Sequence, residues 1–367
     1  MSNLKLNSAG GGSVTLSVPS TSSARTLTLP DLTDTVAVTN QLGLRNRIIN
    51  GAMMIDQRNA GASVTVTSSS YTLDRWQATI TAASKYSVQR NAGAVTPPVG
   101  FTNYLGVTSL SAYSISSGDY YALRQFIEGY NIADLAWGTT NAQPVTLSFR
   151  VYSSLTGVFG GCVRNGAGDR AYPFIYTISS ANTWTTISII VPGDTTGTWV
   201  TDNTAGIQIL FGLGVGSTYS GTAGAWAAGA YLSATGATSV VGTNGATFYI
   251  TGVQLEKGAT ANPFENRLYG TELALCQRYY EIGSAYLGAY TSLPANYPTG
   301  MLTGTNFQAT KRAAPTVAAT TTSSSSIYTN SGNTANITTA SFSQVGLVQT
   351  QSNFGSITIT WTAASEL

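Results

Sequence analysis

Aromatic side chains in a glycine-rich stretch are the residues of this chain whose types best suit molecular recognition. Residues 214–245 are rich in Gly and Ala and contain Tyr219, Trp226 and Tyr231. A flat ring in a loop suits stacking on a sugar, because the C–H faces of a pyranose are apolar while its hydroxyls seek Asn, Ser and Thr. These three are therefore candidate ligand-binding residues. The alternative is that Trp226 anchors the loop onto its own domain or onto a neighbouring subunit.

A second aromatic group near the C-terminus competes for the same role. Its members are Tyr290, Tyr297, Phe307, Tyr328 and Phe354. Tyr328 follows a Ser/Thr run, residues 320–326, and precedes Gly332 and Asn333, a composition typical of a hydroxyl-rich loop. Loops on a rigid scaffold usually carry binding residues, so we expect this group to include ligand-binding residues.

Nucleophilic catalysis is poorly supported, because the chain contains no histidine. That absence excludes Ser-His-Asp and Cys-His sites. Two carboxylates can hydrolyse a glycosidic bond, but the acids are sparse and do not group. We expect no enzymatic activity, with glycan cleavage kept as the weaker alternative. The aspartates fall mostly in predicted turns: Asp56, Asp74, Asp119, Asp134, Asp169, Asp194 and Asp202.

The sequence predicts no cofactor and no metal. Residues 160–168 (GGCVRNGAG) lack the Lys-Ser/Thr of a phosphate-binding loop and are predicted to form a hairpin turn. No calcium-loop pattern occurs. Cys162 and Cys276 fit no metal or redox spacing, so we predict two buried free thiols, an internal disulfide being the alternative.

Charge and hydropathy exclude two classes of partner. The net charge is +2, and the densest basic group, Arg45, Arg47 and Arg58, is interleaved with Asp56, with which we expect it to pair. Nucleic-acid binding is therefore not expected. The longest apolar runs, such as residues 187–191, fall short of the roughly 18 residues that span a membrane, and no secretory signal is visible at the start. We expect no membrane insertion, and assembly in a reducing cytoplasm.

Apolar and polar residues alternate with a period of two through the part of the chain that must position these residues, and this pattern predicts β-strands. It predicts a β-sandwich over residues 44–268, with strands at 86–90, 143–152, 184–191, 206–213 and 247–255. One helix is predicted at residues 120–130, because Leu123, Phe126 and Ile127 share a helical face.

The chain termini are predicted to carry smaller elements. Strands at 13–18, 25–29 and 35–38 are too few to bury a core, so several copies should intertwine. A flexible leader is the alternative. A second helix is predicted at 270–280, capped by Thr271. It is followed by strands at 284–290, 301–309, 316–321, 343–349 and 356–363.

Two stretches resemble one family. Residues 44–77 (LRNRIINGAMMIDQRNAGASVTVTSSSYTLDRWQ) and 246–281 (ATFYITGVQLEKGATANPFENRLYGTELALCQRYYE) resemble the two ends of a module in phage tail-fibre and virion-associated proteins. That module is a jelly-roll like those of carbohydrate-binding modules, closed by a Tyr-rich helix. The GGSVTL segment near the start and the KRAAPTV and TAASEL segments near the end resemble parts of trimeric phage fibres.

The resemblance implies an all-β chain with four parts. These are an N-terminal attachment and trimerisation segment (1–43), a large jelly-roll (44–268), a connecting helix (269–283) near a threefold axis, and a distal C-terminal β-domain (284–367). A Trp in a Gly-rich loop also belongs to the family resembled, which favours an architectural role for Trp226.

The function expected from the resemblance is structural and adhesive. The chain should be a non-enzymatic virion protein, a homotrimeric tail fibre. Its N-terminal segment would contact other virion proteins, and its distal domain would bind a host cell-surface polysaccharide. Two alternatives remain: a capsid decoration protein built on the same modules, and a glycan-cleaving tail spike.

Overall fold

The computed structural model describes residues 4–7, 13–16, 45–287, 302–325, 335–340, 344–349 and 356–367. By its internal contacts the chain divides into two units, Met1–Gly43 and Leu44–Leu367. In the first unit β1 (Leu4–Asn7) pairs antiparallel with β2 (Ser13–Leu16). The predicted strand at 13–18 is thus confirmed in shorter form. Those at 25–29 and 35–38 lie outside the described residues, and the intertwining of copies stays a prediction.

The second unit contains a jelly-roll sandwich of two antiparallel sheets. Its strands, numbered in chain order, are β3 (Val64–Thr65), β4 (Ser70–Leu73), β5 (Trp76–Ile80), β6 (Tyr86–Arg90), β7 (Leu105–Ser109), β8 (Tyr120–Glu128), β9 (Val145–Ser153), β10 (Gly157–Asn165), β11 (Arg170–Ile178), β12 (Thr185–Val191), β13 (Ala205–Val215), β14 (Ser220–Gly221), β15 (Ala227–Ala228), β16 (Ser233–Ala234) and β17 (Thr247–Lys257). One sheet has the order β15-β11-β10-β13-β8-β5-β4, and the other β12-β9-β17-β7-β6-β3. Short 3-10 turns lie at Ala92–Ala94, Gly129–Asn131, Ala133–Leu135 and Ser217–Tyr219.

The core lies between the two sheets and follows the alternation of the strands. In β9, Leu147, Phe149 and Val151 point inward, while the residues between them face outward. Phe149 meets Phe211 of the opposite sheet edge-on, with ring centroids 5.0 Å apart. Burying alternate apolar side chains on both inner faces drives this arrangement. The sandwich and the five strands predicted in it are confirmed, with bounds shifted by up to two residues.

The helix predicted at residues 120–130 is wrong. Residues 120–128 form β8, a central strand between β5 and β13. Tyr121, Leu123 and Ile127 lie in the core, whereas Arg124 faces outward, so the true period is two. Pairing on both sides and an aromatic-rich sequence outweigh the helical spacing that the same apolar residues also satisfy.

The hairpin turn predicted at residues 160–168 is only partly right. Residues 160–165 belong to β10, and the turn occupies the residues between β10 and β11. Position 161, inside β10, requires glycine, because a Cβ there would lie 2.3 Å from the Leu210 carbonyl oxygen and 2.4 Å from the Phe174 ring. Glycine here permits close approach of neighbouring elements.

The described residues in the rest of the second unit form one α-helix and two three-stranded sheets. The helix is α1 (Tyr269–Gln277), and the strands are β18 (Tyr280–Leu287), β19 (Leu302–Asn306), β20 (Thr316–Ser325), β21 (Ala335–Ala340), β22 (Gln344–Gln349) and β23 (Ser356–Ala364). The sheets have the orders β18-β23-β20 and β19-β22-β21. The predicted domain boundaries at 268/269 and 283/284 stay predictions.

Two predictions in this part are corrected. The N-cap of α1 is Leu268, not Thr271, because Glu272 in the first turn binds the Asn50 backbone N–H and Arg267 and so fixes an earlier start. Residues 320–325 are not a loop: they belong to β20 and pair with β23. Thr favours strands, and pairing on one side is enough to hold them extended.

The basic residues near the start of the jelly-roll do not pair with Asp56. Arg45 pairs with Glu256, Arg47 with Asp134 and Arg58 with Glu366. The Asp56 oxygens instead accept hydrogen bonds from the backbone N–H groups of Asn59 and Gly61, 3.0 and 2.6 Å long, and close a turn. Among the described residues, helices are too short or too polar to cross a membrane.

Candidate functional site

The aromatic residues predicted in the loop of residues 214–245 pack against the sandwich. Trp226 donates a 2.8 Å hydrogen bond to the Pro192 carbonyl. Its ring lies 5.3 Å from Trp137 and 5.4 Å from Trp199. These contacts favour the anchoring role of Trp226 over ligand binding. Tyr219 and Tyr231 are half-buried on the outer face of the seven-stranded sheet, beside a small apolar cluster.

Phe307, the one described member of the C-terminal aromatic group, is buried. Its side chain is 8% exposed and packs edge-on against Trp361, with ring centroids 5.4 Å apart. This burial argues against a ligand-binding role for Phe307, which stays an untested prediction. Tyr290, Tyr297, Tyr328 and Phe354 lie outside the described residues.

An aromatic cluster that the sequence reasoning missed lies on the outer face of the six-stranded sheet. Tyr152 of β9 stacks on Tyr249 of β17 at 5.3 Å and 6°. Tyr249 stacks in turn on Tyr104, and Trp184 meets both Tyr104 and Tyr152 at 5.5 Å. Gly106, opposite Tyr249, makes room for its ring, because a Cβ there would lie 2.9 Å from it.

The inner two rings of this cluster are covered and the outer two are partly exposed. Tyr104 and Tyr249 are buried under the turn that starts at Ala92. Trp184 is oriented by a 2.9 Å hydrogen bond from its Nε1 to the Thr96 carbonyl, and Tyr152 lies beside it. Two fixed, half-exposed rings therefore border the open part of the sheet.

Polar side chains continue the same face. Arg150 lies opposite Thr186 across β9 and β12, and Ser148 lies opposite Ser188. Thr186 and Ser188 are exposed, and Arg150 is half-buried. Arg150 makes no hydrogen bond or ion pair with another described residue. The surface formed by Tyr152, Trp184, Arg150, Thr186 and Ser188 is called the aromatic face below.

A second unusual arrangement lies on the outer face of the seven-stranded sheet. The Gln208 amide oxygen accepts hydrogen bonds from Arg164, 3.0 Å from Nε and 2.8 Å from Nη2, and from Arg124, 3.2 Å from Nη1. Arg124 also donates to the Gln77 amide oxygen. Arg124, Gln208 and Arg164 are called the arginine row below.

Burial makes the arginine row electrostatically unfavourable as it stands. Arg164 is 8% exposed, and burial, with the charge of Arg124 beside it, lowers the pKa of its guanidinium to about 10. Burial also lowers the pKa of Arg124, whose guanidinium carbon lies 4.4 Å from the centre of the Phe126 ring. Among the described residues, no carboxylate lies within ion-pair distance of either arginine.

Elsewhere, buried charges are matched at a junction between the jelly-roll and the C-terminal residues. Glu366 binds Arg58 at 2.7 Å and also Arg75. Glu128 binds Arg278 and accepts a 2.7 Å hydrogen bond from the Tyr279 hydroxyl. These six residues are called the charged junction below.

The predicted turn aspartates serve local structure where the structure describes them. Asp194 accepts two 2.8 Å hydrogen bonds from Arg170, and Asp202 binds Thr204 two residues on. Asp74 accepts from the Gln57 backbone and side chain. Within the described ranges, no three Cys, Asp or Glu side chains group so as to hold a metal ion. Both cysteines in these ranges are buried free thiols, as predicted.

Comparison with known proteins gives similarity of structure only. No protein-family model and no curated protein matches the chain. A tailspike protein 4 domain of Bacteriophage CBA120 is similar over 58% of this chain and 21% of its own length, with 12% identity and a TM-score of 0.33.

Carbohydrate-binding modules are also among the structural neighbours. A family 11 module of a Clostridium thermocellum cellulase is similar over 56% of this chain and all of its own, with 12% identity and a TM-score of 0.26. The N-terminal cellulose-binding domain of a Cellulomonas fimi glucanase is similar over 44% of this chain and 82% of its own, with 12% identity and a TM-score of 0.25. At such low identities and TM-scores, these similarities carry no inference about what this chain binds.

Proposed function

We propose that this chain is a non-enzymatic glycan-binding protein and that three copies form a tail fibre on a phage virion. The observation that carries glycan binding is the aromatic face. The virion assignment is supported by the resemblance of residues 44–77 and 246–281 to phage fibre modules. The N-terminal segment would contact other virion proteins, and the ligand would be a host cell-surface polysaccharide.

The aromatic face has the parts that sugar binding needs. Trp184 and Tyr152 offer rings to the apolar C–H face of a pyranose. Thr186 and Ser188 are exposed beside them, and Arg150 has donors that no described residue occupies. The rings are held by the stack beneath them and by the Trp184–Thr96 hydrogen bond, so little side-chain entropy is lost on binding.

Binding to extracted host polysaccharide tests this proposal. The Trp184→Ala variant of the full chain should bind about fivefold more weakly per site, since a stacked ring contributes on the order of 1 kcal/mol. Trp226→Ala is the matched control and should bind as the unaltered chain does. Unchanged binding in Trp184→Ala would show that the aromatic face is not the sugar site. Loss in Tyr328→Ala alone would move the site to the C-terminal region.

Self-association is supported by an apolar surface around α1. Leu268 is 81% exposed and Tyr269 58% exposed, at the start of the helix. Leu275 borders two hollows of about 280 and 500 Å³, one lined also by Tyr130 and the other by Thr310. Exposed apolar side chains beside hollows favour burial against another copy.

Light scattering on the purified chain tests the trimer. The expected mass is three times 38.2 kDa. A stable monomer at micromolar concentration would contradict it.

Imaging of the virion tests the location of the protein: density at the tail supports a fibre, whereas density on the capsid lattice would make the chain a decoration protein.

A further inference from the structure

Strand register brings the arginine row together from three strands. Phe126, Gln208 and Arg164 face one another across β8, β13 and β10. Arg124 precedes Phe126 by two residues, on the same outer face, and lies opposite Gln77 of β5. Two guanidinium groups from different strands therefore reach one amide oxygen in the middle of the sheet.

The row carries two positive charges and a neutral acceptor. Placing a guanidinium out of water costs several kcal/mol unless a counter-charge lies beside it. Other buried arginines of the described residues meet that requirement, since Arg75 binds Glu366 and Arg267 binds Glu265 and Glu272. Unlike Arg75 and Arg267, the arginines of the row have no carboxylate partner among the described residues.

The nearest acids along these strands are engaged elsewhere. Glu128 is on the same face of β8, four residues after Arg124, and its carboxylate binds Arg278 and Tyr279. Asp169, in the turn after β10, is exposed and accepts from the Asn165 amide. Neither carboxylate reaches the row, so no described carboxylate neutralises its charge.

We propose that the arginine row binds an oxyanion group carried by a saccharide, a carboxylate or a phosphate, between Arg124 and Arg164. A guanidinium donates two parallel hydrogen bonds to such groups. Arg164 is almost covered, so only a small terminal group can reach it. The site is distinct from the aromatic face, which is on the other sheet, and it does not depend on the function proposed for that face.

Thermal unfolding of the full chain at constant ionic strength tests the proposal. Sodium glucuronate and inorganic phosphate are the two oxyanion probes, and glucose is the neutral control. A group that binds only the folded state raises Tm in a saturable way. We expect such a rise with glucuronate, phosphate or both, and none with glucose. The probe that acts identifies the carboxylate or the phosphate as the preferred group. No rise with either probe would overturn the proposal.

Variants of the row locate the effect. Gln208→Glu supplies a carboxylate between the two guanidinium groups, so Tm should rise without any probe and the response to probes should disappear. Arg164→Gln should also lose the response. Trp184→Ala should keep it, because its ring is on the opposite face. A response that persists in Gln208→Glu would place the anion elsewhere and overturn the proposal, even if Arg164→Gln failed to fold.

Discussion

Arginines at the charged junction and arginines in the arginine row differ in one respect: only the first have carboxylate partners. Arg58 and Arg75 share Glu366, and Arg278 has Glu128. The arginines of the row have only the neutral amide oxygens of Gln208 and Gln77 as described side-chain acceptors. Buried arginines with carboxylate partners hold two parts of a chain together, whereas buried arginines without them retain affinity for an anionic group.

The same contrast occurs within one hairpin. Arg164 is near the end of β10, and Arg170 begins β11. Arg170 makes a two-point ion pair with Asp194, which raises the pKa of its guanidinium through that hydrogen bond, while burial lowers the pKa of Arg164. Position in the hairpin therefore does not explain why Arg164 lacks a carboxylate partner.

Breaking the charged junction should have the largest effect. Glu366→Gln leaves Arg58 and Arg75 without a full counter-charge, so the free energy of unfolding should fall by about 3–5 kcal/mol in urea titrations. Asp134→Asn is the control: that side chain is 52% exposed, and the change should be about 0.5 kcal/mol or less. A loss below about 1 kcal/mol for Glu366→Gln would mean that the junction is not held by its charges.

Removing each arginine of the hairpin sharpens the contrast. Arg170→Met abandons the buried Asp194 carboxylate and should cost about 2–3 kcal/mol of unfolding free energy. Arg164→Met removes a charge that lacks a carboxylate and should cost about 1 kcal/mol or less. Urea titration of both variants gives the comparison. Equal losses would show that Gln208 satisfies Arg164 as fully as Asp194 satisfies Arg170.

Lowering the pH should change the stability contributions of two buried aspartates, Asp194 and Asp74, in opposite directions. For Asp194, burial raises the pKa, but hydrogen bonds from Arg170 and Thr196 lower it more, to below the ordinary 3.8. Its stabilisation is therefore present above pH 3.8 and is lost as pH falls through the folded-state pKa. Burial raises the pKa of Asp74, so its ionised form costs stability above the raised pKa, and that cost disappears on acidification towards 3.8.

Urea midpoints measured from pH 7 towards pH 2 would show this. Asp194→Asn should remove part of the loss at the acid end, and Asp74→Asn should remove the gain at milder acidity. The reverse pattern would contradict the assigned contacts.

The two thiols provide one further test in each region. Cys162 lies in β10 two residues before Arg164, and Cys276 lies in α1 near the charged junction. Replacing each by Ser should cost on the order of 1–2 kcal/mol of unfolding free energy, from a hydroxyl placed in an apolar site. Intact-mass analysis should find no disulfide, and a mass deficit of two hydrogens would overturn that.

The sandwich could be predicted because alternation in sequence is the same signal that buries one face of a strand. The apolar pattern was misleading at Leu123, Phe126 and Ile127, because their spacing also fits a helix. Only pairing with the neighbouring strands β5 and β13 decides between a helix and a strand there. At Thr271 the helix start depends on Glu272 contacts with residues far away in sequence.

The candidate sites were harder to predict because strand register brings together residues that are far apart in the sequence. Sequence reasoning sought rings in loops, but Tyr152 and Trp184 lie on and beside strands, and the alternation of Trp184, Thr186 and Ser188 was the signal that could have found them. The arginine row had no such signal. An arginine without a counter-charge is recognisable only when the surroundings of every acid are known.

The aromatic face and the arginine row lie on opposite outer surfaces of one sandwich. Two packed sheets are about 10 Å apart, so a short oligosaccharide cannot occupy both surfaces, whereas two separate polymer strands can. If both sites bind polysaccharide, a single subunit cross-links two polymer strands. The protein at high concentration should then gel or precipitate an acidic polysaccharide that carries both oxyanion groups and sugar rings able to stack on the aromatic face.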